Sequence, residues 1–149
     1  KTFGPAHPFT RQAKNALDDE RLFSRFLNAL MAELEKVYSL DVGCEEKLVR
    51  REQVFGAYLG KFQALKADLK TRQFVNFGKA PLNNAYLMTV ALYHRHFQLF
   101  EAALERNHGA IREMILFLEE FCQGEGDLIL RLQHLQDATP GMGRPSQKR

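Results

Sequence analysis

A chain of 149 residues, 45% apolar and 26% charged, is long enough to bury a core of its own and is not composed like a disordered polypeptide. Its 21 Lys and Arg against 18 Asp and Glu leave a net charge of +3. Arg144, Lys148 and Arg149 at the carboxyl end carry that excess, so there is no basic stripe on the folded part and no nucleic-acid partner is expected. No apolar run approaches the roughly 18 residues of a membrane span, and no segment has the pattern of a signal peptide. Because the first residue is Lys1 and not Met, an excised or processed piece of a longer protein is expected.

Residues 1–17 read as an irregular lead-in, since Gly4-Pro5 and His7-Pro8 interrupt regular structure. A first helix is expected from Asp18 or Asp19, whose carboxylates suit the amide-rich start of a helix. Leu22, Phe23, Phe26, Leu27, Leu30, Leu34, Val37 and Tyr38 then form one apolar stripe, which Asp41-Val42-Gly43 ends. A second helix is expected from about Glu45 to Lys70, with Leu48, Phe55, Tyr58, Phe62 and Leu69 on its inner side. Gly56 and Gly60 lie about one turn apart within it, and their spacing predicts close approach of a neighbouring helix. Residues 71–82 read as a loop anchored by Phe74, Val75 and Phe77 and interrupted by Gly78 and Pro81.

Asn83 or Asn84 is placed to cap a third helix reaching about Arg106. Leu87, Val90, Leu92, Phe97, Phe100 and Leu104 give that helix more than one apolar side, so contacts all round it are expected. Asn107-His108-Gly109 reads as a turn into a fourth helix through Ile111, Met114, Ile115, Leu118 and Phe121. A shorter fifth helix follows through Leu128, Ile129, Leu132 and Leu135. No strand–helix–strand pattern occurs, so the expected fold is all-α, an irregular bundle of about five helices. It is expected to be a single domain over 18–137, followed by a flexible tail over 138–149.

No complete catalytic set accompanies these helices. Cys44 and Cys122 match no ligand spacing and read as free thiols. His94 and His96 are two positions apart and point to different sides of a helix, and no His-Glu-x-x-His occurs. Adjacent acids such as Glu45-Glu46 and Glu119-Glu120 diverge around their helices and suit a solvated surface. The basic residues of the second helix alternate with acids and read the same way. No catalytic residue and no metal ligand is therefore assigned, and no cofactor is expected in this chain. Four polar residues remain as candidates for the edge of a substrate cleft: Asn83, Asn84, Tyr93 and His94. For the asparagines two roles stand side by side, a helix cap alone or a cap with the second amide turned to a cleft.

The stretches Phe62-Gln63-Ala64-Leu65-Lys66, Pro81-Leu82-Asn83-Asn84-Ala85-Tyr86-Leu87 and Tyr93-His94-Arg95-His96-Phe97 through Leu104 carry a family resemblance. From about Arg21 to Phe121 the chain resembles the helical carboxyl-terminal part of a bacterial family of putative aminopeptidases. The resemblance implies a zinc-dependent parent protein acting on peptides, with its His-Glu-x-x-His motif before the matched region. There the zinc would polarise a peptide carbonyl and activate water. The motif is absent from this chain, so the resemblance implies a non-catalytic helical portion that supports or lines the peptide cleft. The implied partner is the missing amino-terminal catalytic portion. The alternative is a free-standing helical module for protein interaction, with a helical partner.

Overall fold

The computed structural model describes residues 3–137, and among them it has six helices and no strand. They are α1 (Pro8–Ser39), α2 (Cys44–Leu65), α3 (Asn84–His94), α4 (Phe97–Arg106), α5 (Ile111–Cys122) and α6 (Leu128–Asp137). The expected all-α fold forms. The helix count exceeds five because the third expected helix is divided at Arg95-His96 into α3 and α4. By packing, the described residues fall into two units, one ending at Phe97 and the other beginning at Gln98. The tail expected from 138 lies outside the described residues.

The lead-in expected over 1–17 ends at His7. Pro8 takes the first helical position, where a missing N–H removes no hydrogen bond, and His7 Nδ1 accepts from the Phe9 N–H at 3.3 Å. Asp18 and Asp19 consequently lie inside α1 and cap nothing locally.

In the first unit, Phe23, Leu27, Leu30 and Leu34 of α1 meet Phe55, Tyr58 and Phe62 of α2 and Leu87 and Ala91 of α3 in one core. The loop 66–83 contributes Phe74, Phe77 and Leu82 to the same core, so its aromatic anchors are buried as expected. Phe23 is the hub, with the Phe74 ring stacked at 4.0 Å and the Phe62 and Phe77 rings presenting edges at 6.1 and 5.2 Å.

α2 stops at Leu65, five residues before the expected Lys70. The cause is tertiary. The buried Asp19 carboxylate accepts from the Lys70 N–H at 2.8 Å and the Thr71 N–H at 2.7 Å, which takes those amides out of any continuing helix. Its neighbours hold the same loop. Lys70 Nζ donates to Asp18 at 2.6 Å and keeps that carboxyl below its ordinary value, and Gln73 Nε2 donates to Glu20 at 2.8 Å. Gly78 closes the loop with φ +72, and a Cβ there would meet Leu59 Cδ2.

The helix approach expected at Gly56 and Gly60 does not occur. Both are exposed, and a Cβ at either would meet nothing within 4 Å. These residues simply weaken α2. Gly56→Ala and Gly60→Ala are each expected to raise unfolding free energy by about 0.8–1 kcal/mol. Urea midpoints of the two variants and the double variant measure this, and an unchanged midpoint would contradict it.

The second unit is built on local devices. α4 ends in the expected turn, where the Gly109 N–H donates to Leu104 O at 2.9 Å and His108 and Gly109 both take positive φ. Asp127 caps α6 by accepting from the Ile129 and Leu130 N–H groups. Arg131 lies 4.3 Å over the Phe121 ring and donates to Phe121 O, which ties α6 to the end of α5.

Candidate functional site

Tyr38 pairs with Asn84 and Glu20 with His94, so α3 runs antiparallel to α1. Side chains of opposing rows meet between them, but the row Met31-Leu34-Tyr38 of α1 and the row Asn84-Leu87-Met88 of α3 leave a groove of about 350 Å3. Its floor is apolar. Two polar pairs stand on its rim. The Asn84 amide brackets the Tyr38 hydroxyl, with Nδ2 at 2.8 Å and Oδ1 at 3.0 Å. Arg95, just past the end of α3, reaches back to Glu35 in an ion pair. A broader cleft of about 710 Å3 runs between α1 and α2 over Val37, Leu40, Val49 and Val54. The Glu33–Lys36 and Glu46–Arg50 pairs line it, and it contains none of the candidate residues.

The four candidates do not form one constellation. Asn83 is the cap of α3, its Oδ1 accepting from the Tyr86 N–H at 2.9 Å. Asn84 makes no cap bond; its amide pairs with Tyr38, and it alone of the four lines the groove. Tyr93 lies on the opposite side of α3 and is 74% exposed, and Leu92 is 77% exposed. This face explains why α3 reads as apolar all round. Leu87 and Ala91 fill the core, Met88 edges the groove, and Leu92 and Tyr93 face away from the core.

His94 is engaged inwards. Its Nδ1 lies 2.6 Å from a Glu20 oxygen, and its ring sets edges against Phe23 and Phe74. A carboxylate only accepts, so Nδ1 carries the proton in this pair. Glu20 thus clamps His94 with one oxygen and Gln73 with the other, joining α1, the loop and α3. Tyr86, half-covered on the first turn of α3, has its phenol pushed above its ordinary value by burial.

Tyr38, Glu35 and Arg95 were not among the cleft candidates offered by the sequence. Tyr38 and Glu35 sit on ordinary turns of an amphipathic helix, and only the antiparallel placement of α3 brings them to a groove. Among the described residues, no three of His, Cys, Asp and Glu gather where one metal ion would sit. His94 Nδ1 is taken by Glu20, His7 Nδ1 by the start of α1, and Cys44 and Cys122 are free and exposed. The residues present therefore do not fit a zinc ion. No helix among the described residues is long and apolar enough to cross a membrane.

No curated protein and no solved structure matched the chain in comparison. A family model did match, over residues 4–125, which include α1 to α5 and every candidate above. With most of its length inside that match, the chain belongs to the family described as putative aminopeptidase.

Proposed function

We propose that this chain is the helical, carboxyl-terminal portion of a zinc-dependent aminopeptidase, lining or supporting a peptide cleft whose metal motif lies outside it. The observation that carries this is the double-sided α3. The helix that bears the Pro-Leu-Asn-Asn-Ala start buries one side in its own core and leaves Leu92 and Tyr93 exposed on the other. An apolar face of this kind on a family aminopeptidase domain suits coverage by a further part of the same protein. Asn84 and Tyr93 flank α3 on its two sides, where a hydroxyl and an amide are able to bind peptide carbonyls.

The chain alone is expected to release no amino-terminal residue from aminoacyl anilides or dipeptides, with or without added zinc. In a longer protein carrying the metal motif, Tyr93→Phe or Asn84→Ala is expected to lower kcat/KM about 10–100-fold. Chelator-sensitive hydrolysis by the chain alone would refute the assignment. The same exposed face also favours the second reading, a free-standing module that binds a helical protein partner. Full activity of both variants in the longer protein would favour that reading instead.

A further inference from the structure

We infer that the groove between α1 and α3 binds a free α-amino acid with an unbranched or bulky apolar side chain. The inference deepens the peptide-cleft proposal and rests on it for the source of the ligand, which is the residue an aminopeptidase releases.

The rim of the groove carries one carboxylate and one guanidinium side by side, Glu35 and Arg95. An α-amino acid presents the complementary pair, an ammonium and a carboxylate, at the same close separation. The Arg95 fork uses Nη2 on Glu35, and a planar guanidinium has further N–H donors in its plane for a second carboxylate. Glu35 likewise has an oxygen beyond the one that meets Arg95. The ligand head group would lie across this pair without breaking it, ammonium to Glu35 and carboxylate to Arg95.

Behind the ion pair the walls are Met31, Leu34, Leu87 and Met88. Thioether side chains are flexible and polarizable, so they close around aliphatic chains of different shape. At about 350 Å3 the groove is at the lower end of the range for small-molecule sites, roughly 300–1,000 Å3, which suits a single residue better than an extended peptide. Apart from Glu35 and Arg95, which hold the head group, the lining offers a polar side chain only the Tyr38–Asn84 pair on the rim, whose two groups bond each other. Apolar amino acids are therefore selected over serine or aspartate.

The test uses the full 149-residue chain with L-methionine, L-leucine, L-serine, N-acetyl-L-methionine, L-methioninamide and a Met-Ala dipeptide. Titration is followed by calorimetry and by the methyl signals of Met31 and Met88. Saturable binding of methionine and leucine is expected, with serine and both capped analogues weaker by about tenfold or more. Glu35→Gln is expected to abolish discrimination against the acetylated ligand, and Arg95→Gln discrimination against the amide. Both residues are partly exposed, so these variants are expected to fold. No saturable methionine binding at about 10 mM, or equal binding of the capped analogues, would overturn the inference. If the amide and dipeptide bind as well as methionine while the acetylated form does not, the free-amino-acid assignment fails. The groove then serves peptide amino termini, and the cleft proposal survives.

Discussion

Replacing Phe23 by alanine is expected to remove about 3–5 kcal/mol of folding stability, the largest loss of any single apolar truncation in the first unit. Three things combine at this position. The side chain is fully buried, so its transfer from water is lost outright. Phe74 stacks on it at 4.0 Å, and Phe62, Phe77 and His94 place edges against it, contacts that add about 0.5–1.5 kcal/mol each beyond area alone. The site also cannot collapse easily, because its walls come from α1, α2, α3 and the loop, and no one of them moves without the rest. Phe23→Leu, which keeps part of the apolar volume but loses the ring contacts, is expected to cost about 2–3 kcal/mol, less than the alanine variant. Urea unfolding with an unchanged slope measures both. A loss below about 1.5 kcal/mol for the alanine variant would mean that the aromatic cluster is not closed around this ring.

Asp19→Ala is expected to cost about 3–4 kcal/mol, an unusual figure for removing an acid from a helix. The carboxylate is wholly buried and both its oxygens are occupied by backbone N–H groups of Lys70 and Thr71. Hydrogen bonds to a charged acceptor contribute about 1.5–3 kcal/mol each, and two donors are left without partners when it goes. Asp19→Asn retains one acceptor oxygen and is expected to lose roughly half as much. The loop 66–83 should then be cut by protease in the alanine variant before any helix is. If the loop resists cleavage and stability falls by less than about 1 kcal/mol, Asp19 is not its anchor.

Which parts of this architecture could be read from the residues follows from where each signal is stored. Helical periodicity is local, so the body of α1, the aromatic face of α2 and the turn at Asn107-His108-Gly109 were legible. The Asn83 cap was legible for the same reason, because its partner is the Tyr86 N–H three residues on. Asp18 and Asp19 were misread as helix-start residues because acids before an apolar stripe usually serve that role. Their partners in the loop are some 50 residues away. The true start at Pro8 was hidden because a proline after a histidine reads as an interruption, although a proline at the first helical position is favourable. The split at Arg95-His96 carries no glycine or proline to mark it. Gly56 and Gly60 suggested a close neighbour that is absent. Of the groove, only Asn84 was visible, since Tyr38, Glu35 and Arg95 acquire a common purpose only once α3 lies along α1.

The clamp of Glu20 on Gln73 and His94 also orders events during synthesis. A ribosome adding about 5–20 residues per second needs on the order of 4–15 s to pass from Glu20 to His94. Throughout that interval the apolar stripe of α1 has emerged without the α3 residues that cover it. Until then only α2 and the loop are available to cover that stripe, and the bonds that join α1, the loop and α3 close only once His94 has been made.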